Sequence, residues 1–241
     1  IYTLSLHDAL PILVIELKGR VRLIFQPAEE INAGAKEIIK QGVLKGVSAI
    51  AGFHNKPDLP LGTIGIKSGP LMAAVDRFEV KINGTGTHAA APQNGNDPIV
   101  TASQIVTSIQ SIVSRYVSPV DMAIISVTKI SGGNTWNVIP ESVIMEGTMR
   151  TFKESVQERI KKLFVQVIKN YTEAFDQKYE ISWGDAHSFV DNDEMLAELI
   201  GKEVSIFADV KIPEITTGGE DFSFYQKEVP GLFAFIGTEC P

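Results

Sequence analysis

Two adjacent glutamates and one histidine each follow an apolar run that has the character of a buried strand. Glu29 and Glu30 end the motif FQPAEE after residues 20–25, and His54 follows residues 48–53. Ligands of parallel sheets bind beyond the carboxyl ends of the strands, and neighbouring strand ends lie roughly 5 to 10 Å apart. Glu30 and His54 are therefore placed to share a metal ion. The free glutamate would take a proton from metal-bound water, as in catalytic zinc sites.

Each of these residues also has a plainer interpretation. A Glu-Glu pair is most often a solvated surface, and a histidine at a strand end is often a hydrogen-bonded core residue. A glycosidase pair formed by Glu29 and Glu30 fails on geometry, because those enzymes place their two carboxylates on separate elements that flank the bond. The surface and core interpretations stay open beside the metal site.

The elements that must position these side chains are predicted in two groups. Residues 20–25 and 48–53 have strand patterns, and residues 33–44 between them have helical spacing. Strand, helix and strand with short connections form the βαβ unit of a parallel sheet. Later in the chain, residues 193–207 predict a helix, and residues 231–237 predict a buried strand after the polar stretch TTGGEDF.

The middle of the chain has a different order of elements. Alternating residues 74–82 predict a half-buried strand, and Asp97 followed by Pro98 predicts the N-cap and first residue of a helix that runs to about residue 115. The other predicted elements are strands 123–130, 142–150 and 179–183 and a helix over 154–175. The resulting order, βαββαβ, is typical of a ferredoxin-like α+β domain.

These patterns predict an α/β fold with an inserted α+β domain. We expect a first catalytic part over residues 13–72, an insertion over 73–183 and a second catalytic part over 184–241. Residues 1–12 (IYTLSLHDALPI) lack a signal peptide's basic start and cleavage site, and they are similar to a translated sequencing adapter. We therefore expect residues 1–12 to be non-native and the chain to be truncated at both ends.

Composition narrows the functional classes. The 241 residues are 44% hydrophobic and 21% charged, with a net charge of −7, which is ordinary for a globular protein. No apolar stretch reaches the roughly 18 residues of a membrane span, and no Lys/Arg cluster indicates nucleic-acid binding. The single cysteine, Cys240, excludes an internal disulfide and favours a reducing, cytoplasmic location.

Five motifs in a fixed order carry a family resemblance. They are FQPAEE, GFHNKP, GTGTHAAAPQNGNDPI, GGNTWNVIPESVIMEGTMR and GGEDFSFY, within residues 19–237. This sequence resembles the co-catalytic di-zinc amidohydrolases of the aminoacylase and carboxypeptidase-like metallopeptidase family. Within that family it looks most like hippurate hydrolases, N-acyl-amino-acid deacylases and auxin-conjugate hydrolases.

The resemblance implies catalytic and metal-binding roles for four residues. Glu29 matches the general base, and Glu30 and His54 match ligands of a pair of divalent metal ions (zinc, or manganese, cobalt or nickel). His88 matches a histidine of the inserted domain that reaches the active site of the partner subunit and stabilises the oxyanion. A donor aimed at the developing charge is what a tetrahedral intermediate needs. Taken alone, His88 after a Gly-rich turn is more often structural.

Two further residues match the substrate-binding positions of the family. Asn137 and Arg150 correspond to residues that hold the substrate's carboxylate, and the guanidinium fork suits bidentate carboxylate binding. Without the resemblance, Asn137 would be a turn residue and Arg150 a surface charge. The substrate implied is a small N-acyl amino acid, and the assembly implied is a homodimer formed through the inserted domain, which would serve as a lid and dimerisation domain.

Two parts of the family pattern are missing from this sequence: an early Cys-Gly-His-Asp type segment and a late histidine ligand. Because a catalytic zinc keeps three protein ligands, we expect this chain by itself to be inactive. The alternatives are a non-catalytic dimerisation and binding module, or a related di-zinc dipeptidase or carboxypeptidase. We expect Glu220 and Asp221 to cap a helix rather than to bind metal. His187 matches nothing in the family pattern and is expected to be exposed.

Overall fold

Two four-stranded sheets organise the part of the chain that the structure, a computed structural model, describes: residues 19–31, 33–184 and 186–239. The proposed non-native segment 1–12 lies outside these residues. The helices in chain order are α1 (Gly34–Lys40), α2 (Pro98–Tyr116), α3 (Glu154–Ala174), α4 (Glu194–Val204) and α5 (Ser223–Gln226).

The strands are numbered in chain order. They are β1 (Ile50–Pro60), β2 (Thr63–Gly65), β3 (Gly69–Met72), β4 (Ala74–Asn83), β5 (Thr87–His88), β6 (Ala123–Gly132), β7 (Val138–Ile139), β8 (Ser142–Thr151), β9 (Lys178–Trp183), β10 (Val190–Asn192), β11 (Asp209–Lys211) and β12 (Gly231–Glu239).

The first sheet has the antiparallel order β6-β8-β4-β9, and helices α2 and α3 pack against it. Along β4 and β8 alternate residues are buried, as a half-covered sheet requires. The buried set includes Phe78 and Met145, which pack with Ile105, Ile109 and Phe164 of the helices. The other face of the same strands carries Val75 and Arg150, which are paired in register. Strand periodicity therefore turns Arg150 away from the helical core.

Close packing at the centre of this sheet gives a first testable expectation. A Cβ built on Gly147 would lie 2.1 Å from the carbonyl oxygen of Ser126 and 2.3 Å from Cζ of Phe78. We expect Gly147→Ala to lower the free energy of unfolding by about 1–3 kcal/mol, because the sheet or Phe78 must shift. Urea denaturation measures this. Gly201→Ala in α4 is the matched control, since its Cβ meets nothing closer than 4.0 Å, and a stability loss as large there would contradict the packing argument.

The second sheet has the order β1-β12-β2-β11 and mixes parallel and antiparallel pairs. Strands β1 and β12 run parallel, as do β2 and β11, whereas β12 and β2 are antiparallel. Strand β12 is buried on both faces. Its Leu232 and Ala234 pack in the cluster beneath α4, and Phe233 and Phe235 pack on the other side with residues of α1 and α5. The parallel pairing and the flanking helices give the expected α/β class.

The predicted first strand is wrong. Residues 20–25 form no strand among the described residues, and Val21, Leu23 and Phe25 are exposed. A strand exists only where a neighbour completes its backbone hydrogen bonds. Strand β1 pairs with β12, and no described strand pairs with residues 20–25. The βαβ unit predicted over residues 20–53 is therefore not formed there.

The predicted end of the second strand is also wrong. The sequence placed His54 at the carboxyl end, but β1 continues to Pro60 and His54 lies opposite Phe235 within the ladder. The strand extends because β12 supplies partners beyond this point, with Ile236 opposite Asn55 and Gly237 opposite Lys56. The ladder with β12, rather than the local pattern, sets this boundary.

Elements of the central segment agree more closely with prediction. The order β4, α2, β6, β8, α3, β9 follows the predicted βαββαβ pattern within residues 73–183. The N-cap role of Asp97 is confirmed, since its carboxylate accepts hydrogen bonds from the backbone N–H groups of Ile99 and Val100. The domain boundaries and the lid and dimerisation roles of this segment remain predictions. Among the described helices, none combines the length and apolar character needed to cross a membrane.

Candidate functional site

A cleft of about 430 Å³ collects side chains from distant parts of the chain. It brings together four of the six residues that the sequence singled out: Glu29, Glu30, His54 and Arg150. Residues that the sequence did not assign to a site also line it, and these are Asn55, Lys56, Met72, Val75, His187, Thr216, Gly219, Glu220 and Phe235. The cleft is therefore the candidate active site.

A strained turn presents the two glutamates. Glu29 and Glu30 open a short 3₁₀ turn, Glu29–Ile31, rather than following the end of a strand as predicted. Ala28, directly before it, has φ of 59°, a left-handed conformation that costs a residue with a side chain roughly 1–2 kcal/mol. The carbonyl of Ala28 accepts hydrogen bonds from the backbone N–H groups of Ala33 and Gly34, which fix this conformation. Such strain is found where a turn must aim a functional group.

Three carboxylates meet where Glu29 and Glu220 line the cleft. Oxygen atoms of Glu29, Glu220 and Asp221 all lie within 4.8 Å of one another. Glu220 and Asp221 are almost completely buried, at 6% and 1% exposure, so the grouping is unlike an open acidic surface. Oxygen donors at this spacing suit a divalent cation, whose charge would offset their mutual repulsion. Glu30 and His54, the predicted ligands, line the same cleft but are not part of this group.

Asp221 has a structural role that explains its position. Its carboxylate accepts hydrogen bonds from Nε2 of Gln26, at 2.8 Å to each oxygen, and from the backbone N–H of Ala35 at 3.1 Å. The bond to Ala35 satisfies a donor in the first turn of α1. Tyr225 donates in turn to the amide oxygen of Gln26. The expected capping is found at α1 and not at α5, the helix that follows Asp221 in the chain, where no side chain caps the N-terminus. Glu29 and Glu220 keep more oxygen lone pairs for a ligand.

Burial, together with the neighbouring negative charges, raises the proton affinity of Glu29 and Glu220. Burial raises the pKa of Glu220 to about 7, and the nearby negative charge of Glu29 adds to the effect. Burial also raises the pKa of Glu29, with further contributions from Asp221 and Glu30. A carboxyl group with a raised pKa is a better proton acceptor at neutral pH, which is what a general base requires.

The hydrogen bond of His54 leaves one ring nitrogen for a ligand. Nδ1 of His54 lies 2.7 Å from the carbonyl oxygen of Asn55. A carbonyl can only accept, so the ring donates through Nδ1–H and keeps the lone pair on Nε2. This is the usual state of a metal-binding histidine, whose second nitrogen donates to a backbone carbonyl. The side chain is exposed, which rules out the core-histidine interpretation.

Arg150 enters the cleft from the sheet that carries α2 and α3. It donates to the backbone carbonyl of Thr217 at 3.3 Å, which connects strand β8 to the loop that bears Glu220. Partial burial lowers the pKa of its guanidinium. Because the ordinary pKa of arginine is very high, the group is still charged at neutral pH. A cation that lines the cleft is suited to hold an anionic substrate group.

His187 was expected to be exposed, and this prediction is wrong. It is 8% exposed and lines the cleft, because its backbone exchanges two hydrogen bonds with Val75 at the edge of β4. The nearby Gly219 is required for close approach, since a Cβ there would lie 2.5 Å from Cγ2 of Val75 and 3.3 Å from Cδ2 of His187. Nothing local in the sequence signals this long-range bridge.

The remaining two predicted site residues lie together elsewhere. His88 lies in β5, which pairs with β7 although α2 and β6 lie between them in the chain, and Asn137 directly precedes β7. The backbone N–H of Ala89 donates to the carbonyl of Asn137. Nδ1 of His88 accepts a hydrogen bond from the backbone N–H of Ala90 at 3.1 Å. Neither residue lines the cleft. Their roles remain predictions, and a role for His88 in a partner's site is consistent with its exposure.

Comparison with known proteins places these features in context. A model of the peptidase family M20/M25/M40 matches residues 3–240. The chain is 48% identical over 225 residues to the N-acetyl-L-cysteine deacetylase of Bacillus subtilis, covering 92% of this chain and 54% of that protein. It is 39% identical over 232 residues to IAA-amino acid hydrolase ILR1-like 4 of Arabidopsis thaliana, covering 93% and 52%.

A solved structure shows a similar fold. The Bacillus subtilis YXEP protein, described as a dinuclear metal binding peptidase from the M20 family, aligns with a TM-score of 0.76 and 40% identity. The alignment covers 89% of this chain and 55% of that one. The chain thus spans about half the length of the curated relatives it matches.

Proposed function

The chain belongs to the peptidase family M20/M25/M40, and from this premise we propose that the whole protein hydrolyses the amide bond of N-acyl amino acids. The observation that carries the proposal is the cleft in which Glu29, Glu30, His54 and Arg150 meet. It combines a base, nitrogen and oxygen ligands for a metal, and a cation for the substrate's carboxylate. The names of the relatives, a deacetylase of an N-acetyl amino acid and a hydrolase of IAA-amino acids, support the same class of substrate.

The donor set fits divalent metal ions. Glu30 and His54, which both line the cleft, would supply the protein ligands from this chain. We propose a pair of such ions, in agreement with the description of the YXEP protein as a dinuclear metal binding peptidase. Bound there, they would supply Lewis-acid polarisation of the amide carbonyl and a lowered pKa for water.

Glu29 is proposed to handle the protons. It would accept a proton from the attacking water and return it to the leaving amine, since the same carboxyl group is ionised before the first transfer and protonated after it. The 3₁₀ turn and the left-handed Ala28 hold its carboxylate toward the cleft. Because the pKa of Glu29 is raised, its carboxylate binds a proton more readily near neutral pH than a fully solvated glutamate would.

Arg150 is proposed to bind the carboxylate of the substrate amino acid, with Asn137 as a second contact. Asn137 and His88 lie at the pairing of β5 with β7, outside the cleft, so they would act on the site of another copy of the chain. His88 would donate a hydrogen bond to the oxyanion there. This arrangement requires a homodimer through residues 73–183, which is part of the proposal.

A metal-dependence assay tests the proposed function. We expect the purified whole protein to release amino acid from N-acetyl-L-cysteine, N-acetyl-L-alanine and hippurate, and to lose turnover by at least about 10²-fold on chelation. Added divalent metal should restore it. The isolated 241-residue chain should show no turnover, because Glu30 and His54 supply two of the three protein ligands that a catalytic zinc keeps.

Elemental analysis of the same preparations provides the control. Turnover that persists after all bound metal has been removed would contradict the proposed chemistry. Hydrolysis of dipeptides in preference to N-acyl amino acids would instead identify the protein as a dipeptidase of the same family.

A further inference from the structure

Gln26 belongs to the FQPAEE motif, and the proposed chemistry gives it no role. Its side-chain amide lies 2.8 Å from each carboxylate oxygen of Asp221, which is 195 positions later in the chain and only 1% exposed. A carboxylate can only accept hydrogen bonds, so Nε2 of Gln26 donates. Hydrogen bonds to an ionised group are stronger than those between neutral groups. This contact therefore fixes the start of the segment that carries Glu29.

The same carboxylate also binds the end of that segment. Oδ2 of Asp221 accepts a hydrogen bond from the backbone N–H of Ala35, in the first turn of α1, at 3.1 Å. Gly34 allows the two contacts to lie close together, since a Cβ built on it would lie 2.8 Å from Nε2 of Gln26. One side chain thus holds both ends of a closely packed segment, and Glu29 lies between those ends.

Tyr225 fixes the orientation of the Gln26 amide. Its hydroxyl donates to Oε1 of Gln26 at 2.7 Å, and the residue is 3% exposed. Burial, with a further contribution from the charge of Asp221, raises the pKa of Tyr225 to about 12, so the phenol keeps its proton at neutral pH. The reverse orientation of the amide would place Oε1 against the carboxylate of Asp221. The amide therefore has a single favourable orientation.

Asp221 also contacts Glu29 directly. Burial raises the pKa of Glu29, and a hydrogen bond from the backbone of Asp221 opposes that rise. Oxygen atoms of the two carboxylates lie within 4.8 Å of each other. Asp221 therefore binds the proposed base through its backbone and holds the segment around the base through its side chain. A shift of that segment would move the Glu29 carboxylate within the cleft.

We propose that a network of three positioning residues, Gln26, Asp221 and Tyr225, holds the general base in place. The network keeps the Glu29 carboxylate where it exchanges protons with the attacking water and the leaving amine. This assignment rests on the proposed function for the role of Glu29. Because a misplacement of about 1 Å can cost about 10²-fold in rate, the effect of the network should appear in kcat.

Exchanging the amide and the carboxylate tests the inference. Gln26→Glu sets two carboxylates against each other, and we expect it to lower the kcat of the whole protein by about 10²-fold. KM for N-acetyl-L-alanine, measured with divalent metal in excess, should change little. Adding Asp221→Asn restores the pairing in reverse, because the new amide can donate to the new carboxylate while its oxygen accepts from Ala35. The double variant should regain at least about tenfold in kcat over Gln26→Glu.

Amide hydrogen exchange in the 241-residue chain, followed by NMR, tests the contacts without turnover. In Gln26→Glu the backbone amide of Ala35 should exchange at least about tenfold faster than in the wild type, and the double variant should reverse most of this change. The backbone amide of Leu196 is the internal control, since the carboxylate of Asp193 caps it in the same way at the start of α4. Its exchange rate should stay at the wild-type value in both variants.

Further variants separate the network from general effects of the substitutions. Tyr225→Phe removes only the hydroxyl and should lower kcat by roughly tenfold, the effect of one hydrogen bond. Tyr171→Phe is its matched control, because it removes a hydroxyl that is bonded to Ser108 and lies outside the cleft. Gln166→Glu adds the same charge as Gln26→Glu at an exposed position of α3. Both controls should keep the wild-type kcat, and thermal melting identifies any variant that is unfolded at the assay temperature.

Three kinetic results would overturn the inference: an unchanged kcat in Gln26→Glu, a loss that the double variant does not recover, and a loss that appears in KM alone. Unchanged exchange of the Ala35 amide in Gln26→Glu would overturn it as well. Failure of the proposed hydrolysis is a separate result, because it would appear as a lack of turnover in the wild type. The exchange rates would still show whether the network holds the segment around Glu29.

Discussion

Replacing Glu29 by glutamine in the whole protein is expected to lower kcat by about 10²–10⁴-fold, the usual contribution of a positioned general base. The amide has nearly the shape of the carboxylate but cannot accept a proton from water. The 3₁₀ turn and the backbone bonds to Ala28 do not involve the Glu29 carboxylate and should persist. The loss should therefore fall on kcat, with KM little changed.

Metal content decides how this result is interpreted. If Glu29 acts as a base and not as a ligand, elemental analysis should find as much metal in Glu29→Gln as in the wild type. Loss of metal together with activity would show instead that Glu29 is a ligand, as its place among the three carboxylates allows. Glu37→Gln is the matched control, because Glu37 is exposed on α1 and bonded only locally to Gln41. Full turnover in Glu29→Gln would exclude the base assignment.

Replacing Glu220 by glutamine is expected to change how the stability of the metal-free chain depends on pH. Burial and the charge of Glu29 raise the pKa of Glu220 from 4.5 to about 7. Between these two values the folded state binds more protons than the unfolded state, so the free energy of unfolding falls as pH rises. This decrease in the free energy of unfolding is complete above pH 7 and amounts to up to about 3 kcal/mol.

Urea denaturation of the metal-free chain at several pH values measures this effect. At pH 8, Glu220→Gln should be more stable than the wild type by up to about 3 kcal/mol, and at pH 4 the two should be nearly equal. Glu29, whose pKa is also raised, should leave a smaller dependence of the same sign. Glu228→Gln, at an exposed position, should follow the wild type. Parallel curves for wild type and Glu220→Gln would show that the pKa of Glu220 is not raised in the folded chain.

Local pattern was sufficient for much of the central segment. The alternation of residues 74–82 and the Asp97-Pro98 cap depend on neighbours within a few residues, and β4 and α2 form there as predicted. The pattern of residues 20–25 is equally strand-like, but no described strand completes its hydrogen bonds. A strand forms only when a neighbouring strand accepts and donates its backbone hydrogen bonds, so a strand-like pattern in one segment is not sufficient.

The motifs of the sequence determined the family, the amide-hydrolysis chemistry proposed for it, and four residues of the cleft. They did so because residue type and order alone limit which groups can bind metal, accept protons or hold a carboxylate. Tertiary structure decided which carboxylates meet and where His187 lies. Glu29 and Glu220 are separated by most of the chain, and His187 reaches the cleft only through its bridge to Val75. Burial and mutual repulsion, which set the pKa of Glu220, arise only when the folded chain brings those charges together.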